Sequence, residues 1–323
     1  MSPRQPCAAD TIDVALELCG FRFSGRRIGG ASGNLGIVFV GGAFQTMDSW
    51  RSFADHFRRV ATVGLVDLPG SGTADVLPAR YGLDFLAQAL AVALDGMGMG
   101  KVCLVAASYG SPVAYRFAQL HSERVERLVL AGVMKQIPAN VWAKTERTLT
   151  LLREGRMADF AGAVIDGLLC RAPDKRVHRG SVALRLLRGQ LERMGGSDRE
   201  RYEENTLRLL RHDPLDLSRR LAIPTLVFTG EHDVYTRPED CREIAASCDP
   251  GWFTTVRDAD HLFHIERFET TRDLVDRFFR TGGIAGVTGI HAPERLGRAV
   301  GGIEEPDEPA AGRPYPAEVA FMG

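Results

Sequence analysis

No stretch of this sequence is apolar for the roughly 20 residues that a membrane-spanning helix needs. The first residues, MSPRQPCAADTID, join no basic segment to an apolar core, so a secretory signal is not expected. Excess charge is missing too. With 40 Lys and Arg against 41 Asp and Glu, the chain offers no field favouring nucleic acid or an anionic membrane. The six cysteines (Cys7, Cys19, Cys103, Cys170, Cys241, Cys248) are scattered, without a C-x-x-C pair. This disfavours a zinc site and fits free thiols in a reducing cytoplasm. The expectation is a cytoplasmic protein with no metal, no cofactor and no integral membrane segment.

What is present is an ordinary soluble composition, 45% hydrophobic and 25% charged, over 323 residues. That length allows two domains, or one large α/β domain with an insertion. VALELCGFRFSGRRI alternates apolar and polar residues around Cys19-Gly20 and predicts a strand pair. Then the pattern changes. GIVFVGG, ATVGLVDLPG, KVCLVAAS, VERLVLAGV and IPTLVFTGEHD are short continuous apolar runs, as expected of strands buried on both faces. Helical stretches separate them, which predicts an α/β fold with a mainly parallel sheet and helices on both faces.

From about residue 135 to 220 the buried-strand runs stop and helical patterns follow one another. The expected organisation is an N-terminal tail over 1–13, a core over 14–134 and 221–280, a helical cap over 135–220, and a mostly flexible tail over 281–323. The apolar end EVAFMG is the part of that tail that could dock on the body. The cap holds 18 Lys and Arg against 12 Asp and Glu inside a nearly neutral chain. Two readings stand for that excess: solvated helix faces, or a surface for a phosphate-bearing substrate or an acidic carrier.

The chemistry gathers around LVAASYGSP. A buried strand runs into Ser108 and a helical pattern starts just after it, the setting of a G-x-S-x-G nucleophile elbow. Ala106 stands where the first glycine belongs, one methyl larger, while Gly110 keeps the second. The competing reading makes Ser108 a helix N-cap. A serine hydroxyl becomes a nucleophile only when a base takes its proton and a third group orients that base. TLVFTGEHDVYT ends a strand in Glu231, His232 and Asp233. WFTTVRDADHLFHIERFE ends the last strand and places His261 before a helix. Ser108, Asp233 and His261 follow one another in the chain order of this fold type.

Asp233 suits the short reach to an imidazole better than Glu231, and Asp258 and Asp260 adjoin the base's own loop. His264 reads as a packing or capping residue, His232 as locally bonded, and Ser111 as a helix interior residue. An oxyanion hole is expected from the backbone N–H groups of Tyr109 and, in VFVGGAFQT, of Ala43, with the Phe44 N–H as the less favoured alternative. Phe44 and Tyr235 are the expected substrate contacts. DLPGSGTAD lacks a phosphate-cradling pattern and reads as a plain loop near the site. Epoxide-hydrolase and dehalogenase chemistry would need an aspartate at position 108.

These residues resemble the α/β-hydrolase fold superfamily from about 37 to 279. Within it, VDLPGSG, the Ser108-Tyr109-Gly110 elbow and DVYTRPED are similar to the acyltransferase family of rhamnolipid biosynthesis, the 3-(3-hydroxyalkanoyloxy)alkanoate synthases. The base loop DADHLFHIE departs from that family, with Ala259-Asp260 where a glycine is expected, and Ser111 replaces a glycine. The resemblance implies that Ser108 takes a 3-hydroxyacyl group from a thioester of CoA or an acyl carrier protein. The hydroxyl of a second hydroxyacyl chain would accept it. Hydrolysis of an ester or thioester by the same three residues is the alternative.

Overall fold

The computed structural model describes residues 11–29 and 35–297. It has nine strands in one sheet, ordered β1-β2-β4-β3-β5-β6-β7-β8-β9. β1 (Thr11–Leu18) and β2 (Phe21–Ile28) form the antiparallel hairpin expected of the alternating stretch. Its two-residue turn places Cys19 at φ 51° and Gly20 at φ 84°, the left-handed pair that matches strand twist.

The six central strands run parallel. They are β3 (Gly36–Val40), β4 (Val63–Asp67), β5 (Val102–Ala107), β6 (Val125–Ala131), β7 (Thr225–Gly230) and β8 (Gly251–Val256). Every residue of β3, β4, β5 and β7 is buried. Continuous apolar runs arise because both sheet faces are covered. In β5, Val102, Leu104 and Ala106 enter one core layer and Cys103, Val105 and Ala107 the other. The first layer is closed by α2 (Leu83–Gly96), α3 (Gly110–Leu120) and α8 (Pro238–Ala246). The second is closed by α1 (Arg51–Phe57) and α10 (Phe268–Thr281), which follows the short α9 (Phe263–Glu266).

Between β6 and β7 lie four helices: α4 (Ala139–Arg153), α5 (Met157–Leu168), α6 (Gly180–Glu192) and α7 (Gly196–Arg211). They build a third apolar cluster around Phe160, Ile165, Leu187 and Leu191, against which Phe44 and Leu262 of the core loops pack. The loop containing DLPGSGTAD is the seat of α7. Arg201 donates to Ala74 O, Asn205 to Gly70 O and Arg208 to Leu77 O, while Glu204 accepts from Ala79 N–H.

Some residues of both expected tails belong to the fold. β1 begins at Thr11, and residues 281–297 are packed against the body. Ile284 and Ile290 are buried, and β9 (Glu294–Leu296) adds an antiparallel strand beside β8. Glycine-rich segments carry little periodicity, which hides a short edge strand from pattern reading. EVAFMG lies outside the described residues. Among the described residues no helix is long and apolar enough to cross a membrane.

Candidate active site

Ligands of open α/β sheets bind beyond the carboxyl ends of the strands. The loops leaving β3, β5, β7 and β8 meet at that edge and bring Gly42, Ser108, Asp233 and His261 together. Ser108 has φ 47°, a left-handed conformation that a non-glycine residue adopts at a cost of about 1–2 kcal/mol. Its N–H is held by Ala131 O at 2.9 Å, and its carbonyl accepts the N–H of Ser111 at 2.9 Å. Tyr109, not Ser108, is the N-cap of α3, and no side chain caps that end. Gly110 is required here: a Cβ would stand 2.6 Å from Gly41 O and 3.0 Å from Val40 Cγ1. Ala106 fits in the sheet with no exposure. Its carbonyl accepts the buried Ser111 hydroxyl at 3.2 Å, so Ser111 braces the turn.

Ser108 Oγ lies 3.0 Å from His261 Nε2, and His261 Nδ1 lies 2.8 Å from Asp233 Oδ2. Thr229 and Thr236 hydroxyls each donate to Asp233 Oδ2 at 2.6 Å, and the Tyr235 and Thr236 amides donate to Oδ1 at 2.8 Å. Burial alone would raise the Asp233 carboxyl. The neighbouring imidazole and these donors outweigh it and hold the group below the usual carboxylate range. For His261 burial disfavours the charged ring, but Asp233, with smaller help from Asp260 and Glu266, raises it above the usual imidazole value.

The competing acids have other partners. Glu231 accepts Asp258 N–H at 2.6 Å and meets His291 Nε2 at 2.5 Å, and His232 lies beside it at 3.4 Å. Asp260 Oδ1 accepts His261 N–H at 2.8 Å while Oδ2 accepts Cys170 N–H at 2.5 Å, tying the base loop to the α5–α6 connection. Burial pushes Asp260 up to about 6 and Glu266 up to about 8.

Gly42 lets the β3 loop approach the elbow, since a Cβ would stand 3.2 Å from Ser108 Cβ. Gly42 N–H donates to Gln45 Oε1 at 2.7 Å, which turns the Gln45 NH₂ toward His264 Nε2 at 3.1 Å. His264 is therefore the acceptor; burial lowers it to about 4 and keeps it neutral. Gln190 donates to Phe44 O at 2.5 Å, and the Phe44 ring stacks on Tyr202 with centroids 5.5 Å apart. The loop carrying Ala43 is thus held from below by α9 and from above by α6 and α7.

A cavity of about 380 Å³ opens over Ser108 and is bordered by Ala43, Phe44, Tyr109, Tyr235 and His261. Tyr235 meets the His261 ring edge-on at 5.4 Å. Among the described residues no three His, Cys, Asp or Glu side chains stand where they could hold a metal ion. A serine, an imidazole and a buried carboxylate in one hydrogen-bonded line can move a proton off a hydroxyl and attack a carbonyl carbon.

Sequence reading missed Thr229, Thr236, Gln45, Gln190, Asn205 and Arg208. Thr229 on a buried strand reads as packing, Thr236 reads as an ordinary loop residue, and the other four act across elements whose contact no local pattern reveals. The polar residues of α7 lying three and four apart, 201, 204, 205 and 208, were a usable sign of a seated face.

The alpha/beta hydrolase fold family matches residues 37–268. Over 106 residues the protein is 35% identical to a 2-hydroxy-6-oxononadienedioate/2-hydroxy-6-oxononatrienedioate hydrolase of Burkholderia vietnamiensis, covering 37% of the relative and 31% of this chain. It is 33% identical over 78 residues to the (R)-3-hydroxydecanoyl-ACP:CoA transacylase of Ectopseudomonas oleovorans, 26% of that protein and 22% of this chain. The matches thus span only 37% and 26% of the length of these curated relatives. In structure the protein is similar to an alpha/beta hydrolase enzyme from a Medee basin deep-sea metagenome library, with TM-score 0.72 and 18% identity, 83% of this chain being covered, against 97% of the other. With most of its length matched, the chain belongs to the α/β-hydrolase fold family.

Proposed function

We propose that this enzyme is a serine acyltransferase that carries a 3-hydroxyacyl group from a carrier thioester to the hydroxyl of a second hydroxyacyl chain. The observation that carries acyl transfer is the line Ser108–His261–Asp233, closed at 3.0 and 2.8 Å beneath a largely apolar cavity. Ser108 Oγ attacks the thioester carbon while His261 Nε2 takes its proton. Asp233 steadies the imidazolium, and the Ala43 and Tyr109 amides hold the tetrahedral oxyanion. The C–S bond breaks, the leaving thiolate takes the proton from His261, and the acyl group stays on Ser108. The acceptor hydroxyl then gives its proton to His261 and attacks the acyl-serine; the C–Oγ bond breaks and His261 returns the proton to Ser108. The donor would be a thioester of CoA or acyl carrier protein, and the product a dimeric hydroxyacyl ester of the kind found in rhamnolipids.

The partial match to a 3-hydroxydecanoyl transacylase supports a thioester donor. Hydrolysis is the second reading, favoured by the match to a Burkholderia hydrolase. Incubation with 3-hydroxyacyl thioesters and mass spectrometry of the products separates them. A dimeric ester is expected; free acid alone would leave hydrolysis, and full activity in Ser108→Ala would overturn both.

A further inference from the structure

Among the described residues lining the cavity there is no Asp or Glu, and Lys144 is the one side chain of permanent charge. Lys144 is an exposed residue and forms no ion pair among the described residues. His212 lines the same cavity. Its Nδ1 donates to Asp213 O at 2.5 Å, which leaves Nε2 an acceptor in the neutral ring, so the charge that can meet an anion here is that of Lys144.

The two come from neighbouring helices that run antiparallel. Leu215 N–H donates to Lys135 O at 3.0 Å at one end, and Thr148 Oγ1 meets Tyr202 OH at 3.0 Å at the other. Tyr202 is the end that stacks on Phe44 of the loop beside Ser108. Ten residues separate it from His212, about 15 Å along a helix. Helical side chains lean toward their own N-terminus, so Lys144 leans toward the His212 end. Arg208, buried in α7 behind Tyr109, hydrogen-bonds only neutral oxygens among the described residues and adds positive potential to that side. An apolar cavity that holds both a reactive serine and a lysine in its lining matches an acyl compound that carries an anion.

We infer that Lys144 forms an anion subsite of this cavity, taking the carboxylate or phosphate of an otherwise apolar acyl substrate. The inference rests on the reading that Ser108 attacks the acyl carbonyl. A carboxylate would sit on the acyl tail and a phosphate on the leaving arm, and two matched pairs of substrates tell them apart. One pair is 4-nitrophenyl octanoate and mono-4-nitrophenyl suberate. The other is octanoyl-pantetheine and its 4′-phosphate.

The quantity read is the ratio of kcat/KM, anionic over neutral, within each pair. In Lys144→Gln the ratio should fall about tenfold for the pair whose anion is seated, and Lys144→Arg should retain it. Ratios unchanged from the parent in both pairs would overturn the subsite while leaving the acyl-serine reading standing. A parent protein inactive on all four compounds would overturn that reading instead. Titration calorimetry with octanoate and with pantetheine 4′-phosphate would then decide the subsite: weaker binding of one of them by Lys144→Gln supports it, and equal binding of both overturns it.

Discussion

The phenol of Tyr109 accepts a hydrogen bond from Arg208 Nη1 at 2.6 Å and donates one to Asn205 Oδ1 at 3.1 Å. The residue after the candidate nucleophile is thereby fastened to α7. Arg208 is 1% exposed. Its Nε donates to Tyr81 O at 2.6 Å, and Nη2 donates to Leu77 O at 2.5 Å and Pro78 O at 3.1 Å. A buried guanidinium is tolerable here because its donors all meet oxygens, although none of these belongs to a carboxylate.

Replacing Arg208 with methionine should therefore destabilise the protein by about 3–5 kcal/mol, because three backbone carbonyls, the Asn205 Oδ1 and a phenol lose a donor together. Tyr109→Phe removes one link and should cost about 1–2 kcal/mol. Urea unfolding of the three proteins measures both. An Arg208→Met midpoint close to the parent's would mean that the guanidinium is not what seats α7.

At the elbow, neither position 106 nor position 110 should tolerate a change of one methyl, the one because it would lose a methyl and the other because it would gain one. Gly110→Ala would drive a Cβ against Gly41 O, displacing the β3 loop from Ser108. Activity on a simple ester should drop at least about tenfold, with a stability loss of about 1–3 kcal/mol from overpacking. Ala106→Gly recreates the more familiar motif, yet it empties a buried site in a central strand. It should gain no activity and lose about 1 kcal/mol. A faster Ala106→Gly enzyme would show that the methyl strains the turn.

Much of this site was legible because its parts are local. A continuous apolar run followed by Ser108-Tyr109-Gly110 reports its own strand, turn and helix. Asp233 and His261 likewise sit where buried runs end, so chain order alone placed all three on one sheet edge. The supports were not legible for a physical reason. Gln190 reaches Phe44 across 146 positions and Arg208 reaches Tyr109 across 99, and no short window holds both partners. Even DLPGSGTAD, a plain loop by its composition, gains its role only from α7 resting on it.

Three carboxyl groups surround His261, and they set how the protein should respond to pH. The base must be neutral to accept the Ser108 proton, so kcat/KM should rise with pH through an ionisation above the usual imidazole value. Asp260 favours the charged ring, so Asp260→Asn should move that rise to lower pH by some tenths of a unit. Glu266 acts on stability instead. Its carboxyl keeps its proton up to about 8 in the folded protein, against an ordinary value of 4.5. Above 4.5 the unfolded chain binds fewer protons at this position than the folded one, so stability falls as pH rises toward 8. Glu266→Gln removes that slope while keeping an acceptor for Asp260 N–H, which now bonds Oε2 at 2.6 Å. The variant should match the parent's Tm near pH 4.5 and exceed it by several degrees at pH 8.5. A variant that is less stable at the higher pH would place the Glu266 charge among the groups that favour folding.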